Sequence, residues 1–336
     1  MKADSNLSRR EFLHKAAQLG ITASALMLGT ACASPQSDVS LPAVTDPTPV
    51  LSPVLSPTPS PNSSPSVAIK AADLVVARGN SPQAITEAAI EALGGITRFV
   101  KRGDVVVVKP NICASRKPEY AATTNPEVIE TIVRLCLGAG AKTVLVFDGP
   151  FDGINTAYDQ TGIAAAAQRA GVQIQKMSSL KYKKVNVPDG RALKSVQVYD
   201  DMLTANVIIN VPIAKNHELA TLTLGMKNMM GVVLDRQSFH GALGQKVADL
   251  NTIVRAHLTI VDAVRILTAN GPTGGNLRDV KQLNTVIASA DIVAADSFAT
   301  TLFGKKGADI DYIRRAAEMG LGEIDLKKLN IREISV

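Results

Sequence analysis

Asp104-Val105-Val106-Val107-Val108-Lys109-Pro110-Asn111 is the stretch that decides the fold. Four consecutive valines are too few for a helix, and no polar residue alternates with them. A continuous β-branched run of this kind reads as a strand buried on both faces, the pattern of a parallel sheet sandwiched between helices.

The segments around it repeat the same logic. Asp73–Ala77 reads as a strand, and Ser81-Pro82 opens a helix to about Gly94, with serine at the N-cap and proline at the first position. Asn125-Pro126-Glu127 starts a helix that runs to about Leu137 and stops at Gly138 and Gly140. Strands follow at Lys142–Asp148, Val172–Lys176, Asn206–Pro212, Leu258–Asp262 and Thr285–Ser289. Helices are expected at Gly162–Ala170, Ile292–Phe303 and Asp311–Met319. The polar stretch Lys181–Tyr199, with Pro188-Asp189-Gly190 as its turn, reads as a hairpin insertion. Alternating strands and helices at this spacing predict an α/β fold: an open, mostly parallel sheet with helices on both faces and a small hairpin insertion.

The N-terminal residues have a different character. Ser8-Arg9-Arg10-Glu11-Phe12-Leu13-His14-Lys15 is a twin-arginine export motif, followed by a modestly apolar run from Ala16 to Leu28 that is too short to span a membrane permanently. Gly29-Thr30-Ala31-Cys32 resembles a lipoprotein box with Cys32 as the lipidated residue, although Leu28 stands one position early. Ordinary cleavage after Ala31-Cys32-Ala33 is the alternative. From Ser34 to Ser66 the chain is rich in Pro, Ser, Thr and Val and nearly uncharged, a composition that cannot bury enough apolar surface to fold. The expected organisation is a twin-arginine signal with its box over 1–32, a disordered linker over 33–66 and one α/β domain over 67–336. Such a chain would be exported, to the periplasm or the outer face of the cell membrane. The export machinery would be one partner, and contact with the membrane would run through the lipid anchor only.

Of 336 residues, 46% are hydrophobic and 20% charged, a globular composition. The net charge is +6, of which Lys2, Arg9, Arg10 and Lys15 against Asp4 and Glu11 contribute +2. The remainder is thinly spread, tryptophan is absent, and no basic run is interleaved with aromatics, so nucleic acid is not an expected partner. Besides Cys32 there are Cys113 and Cys136, either a disulfide or two small core residues. No C-x-x-C occurs, so an iron–sulfur cluster has no ligand set in this chain.

Chemistry gathers where the apolar runs end. After VVVV come Lys109, Pro110 and Asn111; after TVLVF comes Asp148; after VIINVPIA come Lys215, Asn216 and His217; after LTIV comes Asp262. In open α/β sheets, ligands sit beyond the carboxyl ends of the strands, so four such endings can converge on one crevice. Thr123 and Thr124 precede a helix N-terminus whose N–H groups suit an anion. In Gly225-Met226-Lys227-Asn228-Met229-Met230-Gly231, a lone lysine amid apolar neighbours needs a carboxylate, a carbonyl or a bound anion. Asn270–Gly275 is glycine-rich but fits neither phosphate-loop nor dinucleotide patterns. None of His217, His240 and His257 has the spacing of a local metal site.

Lys109-Pro110-Asn111, Thr124-x-Pro126, Asp148, Lys215-x-His217, Gly225-x-Lys227-Asn228-x-x-Gly231, Asp262, Gly271-Pro272 and Asp296 together resemble the family called domain of unknown function 362. The resemblance spans nearly everything from Asp73 onward, with K-P-N and G-x-K-N-x-x-G as its most specific parts. Asn125 stands where relatives often carry histidine, and Ala263 where glycine commonly follows the aspartate. Many relatives append a ferredoxin-like, cysteine-rich segment, which this chain lacks. The resemblance implies an association with redox chemistry and no established reaction.

Two functional readings follow. In the first, the protein is an enzyme acting on a small anionic substrate. Lys109, Asn111, Thr124, Lys215, Lys227 and Asn228 would hold the substrate. Asp148 and Asp262 would serve as base or bind a divalent cation, and His217 would transfer a proton or join the metal ligands. In the second, the same cations capture an anion without turnover. An acid and base with separated pKa values would favour the enzyme, and a wholly cationic pocket the binder.

Overall fold

The computed structural model describes residues 71–336; the twin-arginine stretch, the Cys32 box and the 33–66 linker lie outside the described residues. Eleven strands are present there: β1 (Leu74–Arg78), β2 (Val105–Pro110), β3 (Thr143–Val146), β4 (Tyr182–Asn186), β5 (Ser195–Tyr199), β6 (Val207–Val211), β7 (Ile213–His217), β8 (Thr221–Thr223), β9 (Leu258–Leu267), β10 (Val280–Ser289) and β11 (Ile331–Ser335). The main sheet runs β11-β1-β10-β9-β6-β2-β3, with β7 also paired to β9 and β8 hanging from β7. β3, β2, β6 and β9 are mutually parallel, as are β1 and β11; β10 is the antiparallel member between β9 and β1. β4 and β5 form the expected hairpin, separate from the sheet.

The valine run behaves as its composition requires. Val107 packs into the core on one face, and Val106 and Val108 into the core on the other. Leu74 and Val76 oppose Val75 and Ala77 in the same way on β1. Helices α1 (Pro82–Ala92), α2 (Pro126–Gly138), α3 (Ile154–Gln160) and α4 (Ile163–Arg169) bring Ile85, Ile129, Ile132, Tyr158 and Ile163 to one face. After α5 (Asp200–Thr204) and the single turn α6 (Gly225–Asn228), helices α7 (Leu243–Ile253), α8 (Ile292–Thr300) and α9 (Asp311–Glu318) bring Val247, Leu250, Val293 and Ile313 to the other. The α/β architecture, open and mostly parallel, is therefore the one expected. Two helix starts are also those the sequence marks: Ser81 Oγ accepts from Ala84 N, and Asn125 Oδ1 from Glu127 N, each just before a proline.

Three departures matter. Residues 172–176 are not a strand; Gln175 N donates to Val146 O, and that single bond beside edge strand β3 does not make a ladder. The strand starting at Leu258 does not end at Asp262 but continues to Leu267, with Asp262 buried in its interior. The strand starting at Val207 is interrupted by Pro212, which has no N–H to give, and resumes as β7 through His217. Pro212 O still accepts from Asp262 N, so β7 stays paired to β9 while its end carries Lys215 past the carboxyl end of β6.

Candidate functional site

The site lies beyond the carboxyl ends of β2, β3 and β6–β7. Its inner layer is a closed polar network. Lys109 Nζ pairs with Asp148 Oδ1 at 2.7 Å and donates to Pro110 O at 2.8 Å and Asn228 Oδ1 at 2.9 Å. Those three contacts use all of its protons. Burial pulls the Lys109 ammonium below its ordinary value, and Asp148 opposes that shift. Asp148 Oδ2 accepts from Ile112 N at 2.6 Å. Asn228 Oδ1 also accepts from Asn111 Nδ2 at 2.8 Å, and Asn228 Nδ2 donates to Asn210 Oδ1 at 2.8 Å. The turn carrying Asn228 is anchored by Asp296, whose two carboxylate oxygens accept from Gly225 N at 2.6 Å and Met226 N at 2.9 Å. Gly231 is glycine because a Cβ there would lie 1.9 Å from Asp148 Oδ1 and 2.8 Å from Lys109 Nζ.

The outer layer is open. A cavity of about 610 Å³ is walled by Asn111, Cys113, Lys215, His217, Lys227 and Arg236, with Phe151 and Leu234 among its apolar contacts. Lys215 is fully buried, and its Nζ faces neutral or weakly acidic groups: Ala122 O at 2.5 Å, Pro272 O and Cys113 Sγ at 2.9 Å, and Asn111 Oδ1 at 3.1 Å. Half-buried Lys227 has no hydrogen-bond or ion-pair partner among the described residues. Burial, then the nearby Lys215, with Arg236 and Lys109 adding, lowers the Lys227 ammonium to about 8. His217 Nδ1 accepts from Leu219 N at 3.2 Å and Ala220 N at 3.3 Å, which puts the ring proton on Nε2. Burial and then Lys227 and Lys215 hold His217 down at about 3, so it is a neutral imidazole. Arg236 donates to Gly149 O at 2.6 Å and Pro150 O at 3.3 Å.

Asn111, Asp148, Lys215, His217, Lys227 and Asn228 thus line one cavity, with Lys109 directly behind it. Two expected members do not line it. Thr124 Oγ1 accepts from Asn111 N at 2.8 Å and donates to Val211 O at 2.7 Å, so it ties a loop to β6. Asp262 Oδ2 accepts from Asn125 N at 2.7 Å and Oδ1 from Val264 N at 3.0 Å, while burial raises its carboxyl to about 6. A residue inside β9 cannot turn to a crevice that opens past the strand ends. The first of these bonds, with one from the Asn125 side chain, corrects the anion site expected at the start of α2: Asn125 N donates to Asp262, and Glu127 N donates to Asn125 Oδ1.

The candidate metal set Asp148, Asp262 and His217 is not assembled either. Asp148 is held by Lys109, Asp262 lies elsewhere, and no group of three or more metal-ligating side chains occurs among the described residues. Cys113 and Cys136 are both unpaired thiols, the former on the cavity wall. The sequence does not single out Arg236, and His240, considered there only as a metal ligand, also lines the cavity. Arg236 stands immediately before the 3₁₀ segment Gln237–Ala242, and no motif in the sequence marks it as a cavity residue.

The model of a domain of unknown function, DUF362, matches residues 106–301, and the chain belongs to that family. A thylakoid-associated protein of Synechocystis is 27% identical over 241 residues, covering 69% of this chain and 73% of the relative. Among solved structures, the lactate racemase apoprotein of Thermoanaerobacterium thermosaccharolyticum is similar at a TM-score of 0.39 and 12% identity, over 65% of this chain and 54% of that one.

Proposed function

We propose that the cavity captures a small organic or inorganic anion, in a protein exported by the twin-arginine route and tethered outside the cytoplasm through Cys32. The observation that carries the reading is Lys227, an ammonium facing the cavity without a counter-charge. Most of the groups around it are donors, although the Asp235 carboxylate, which accepts from Ser238 N at 3.2 Å, also lines the cavity. His217 presents Nε2–H, Arg236 lies on the wall, and the Asp148 carboxylate is already neutralised by Lys109. Burial depresses Lys227 most and repulsion from Lys215 adds to it, and an anion entering there would offset both by favouring the charged form.

The acid and base expected for an enzyme are not paired across this cavity, which supports capture over turnover. One observation keeps a catalytic reading alive: a lysine near 8 is suited to accept a proton at neutral pH. The test is titration of the purified chain with sulfate, followed by calorimetry and thermal melting. Sulfate should raise the melting temperature of the parent and not of Lys227→Met. Equal shifts in both would move the anion away from Lys227, and no shift in the parent with sulfate, phosphate or small carboxylates would end the reading.

A further inference from the structure

We infer that the ligand of this cavity is amphipathic: an anionic head joined to a single small apolar body, aryl or short alkyl. This rests on the anion reading above and adds what the head group is joined to. The cavity lining is mixed. Lys215, Lys227 and Arg236 bring cations to it, the neutral His217 an N–H and Asp235 a carboxylate, whereas Phe151, Leu234 and Met230 bring apolar surface.

Two of those apolar residues are out of place for packing alone. Phe151 is 57% exposed and Leu234 43% exposed, two of the eight exposed large hydrophobic side chains among the described residues. They come from separate segments, one after β3 and one between α6 and α7, yet both border this cavity. A lone exposed leucine needs no explanation; two apolar side chains at the rim of one cationic cavity do. Both are held by backbone bonds, Phe151 N to Cys113 O at 3.0 Å and Leu234 N to Gln197 O at 3.1 Å.

The volume agrees. About 610 Å³ exceeds what a bare sulfate or phosphate fills and lies in the range of small-molecule sites, which combine apolar walls with a few placed polar groups. An inorganic anion would leave the Phe151 and Leu234 side chains wetted. A neutral apolar compound would leave Lys227 unpaired. A ligand carrying both features satisfies both kinds of lining at once.

Phosphate, phenyl phosphate and benzyl alcohol separate the possibilities when titrated calorimetrically into the purified chain. Phenyl phosphate should bind about tenfold more tightly than phosphate, the ratio that roughly 55 Å² of newly buried apolar surface gives at ~25 cal/mol per Å². In Phe151→Ser/Leu234→Ser that ratio should fall toward one; neither side chain is buried, so the variant is expected to fold, and its melting curve checks this. Equal affinity for phosphate and phenyl phosphate in the parent would overturn the inference and leave the anion reading standing. An undiminished ratio in a folded double variant would also overturn it. Benzyl alcohol binding as tightly as phenyl phosphate would overturn it by removing the need for the cations, and no binding by any probe would end the anion reading itself.

Discussion

Lys109 and Lys227 sit on the two sides of one wall, and they solve the same problem in opposite ways. Lys109 has spent every proton on a carboxylate, a carbonyl and an amide inside the protein. Lys227 has none of these among the described residues, and burial, with the neighbouring cations adding, pushes it down. The family motif thus supplies both a closed network, which fixes the backbone, and an open one, which leaves a charge waiting. Identical residue types in adjacent layers therefore have different duties, and charge accounting tells them apart where residue type does not.

The largest effect tests the closed side. Lys109→Met would leave the Asp148 carboxylate buried beside Ile112 N without its cation, and should cost about 3–5 kcal/mol in urea denaturation. Lys227→Met should stay within about 0.5 kcal/mol of the parent or gain stability, because no partner is stranded. Similar losses in the two variants would erase the distinction.

Next comes the packing that keeps the closed side closed. Gly231→Ala places a methyl group against the Lys109–Asp148 pair and should destabilise by about 1–3 kcal/mol. A melting temperature unchanged by that substitution would mean the pair has room to shift.

The open side should respond to pH. Burial lowers the Lys227 value most; the cations Lys215, Arg236 and Lys109 lower it further, and the Cys113 thiol raises it. Its folded value of about 8 lies below the ordinary 10.5, so the unfolded chain binds the proton more tightly and Lys227 costs stability while both states are protonated. That cost is fully present below about 8 and is relieved as pH rises toward 10.5. Sulfate needs the charged form, so its affinity should be flat below about 8 and fall roughly tenfold per pH unit above it. Calorimetry across this range checks the slope, with sulfate chosen because it does not itself titrate. A pH-independent affinity would place the bound anion elsewhere.

The smallest effect uses the two thiols. Cys113 borders the cavity, whereas Cys136 is wholly buried and its thiol is pushed up to about 12 by burial. Iodoacetamide should label Cys113 first, and saturating sulfate should slow that labelling several-fold. Mass spectrometry of the peptides would show it, and equal labelling of both thiols would mean that the cavity does not govern access.

The parallel core was legible because four valines in succession have few other uses, and the helix starts because Ser-Pro and Asn-Pro pairs fix both a cap and a first φ. Lys109, Lys215 and Asp148 were legible because a charge directly after a buried run must sit at the strand's end. Asp262 looked the same in sequence and is not. Ala263–Leu267 continues the strand, and backbone N–H groups from Asn125 and Val264 solvate the carboxylate in place. One-dimensional reading sees a charge after an apolar run but not the donors brought to it from α2. The hairpin could be read from its turn; β11 could not, since its partner β1 lies at the far end of the described chain.

Asn228 and Asn111 link the two sides in series. Asn228 Oδ1 takes protons from Lys109 and from Asn111 Nδ2, and Asn111 Oδ1 takes one from Lys215. Each amide is held at both ends, so neither can flip without breaking bonds to two different partners. The dipoles at the cavity floor are consequently oriented before any ligand arrives. An entering anion should therefore bind with little rearrangement and little loss of side-chain entropy, and its association should be fast and its free and bound forms nearly superimposable.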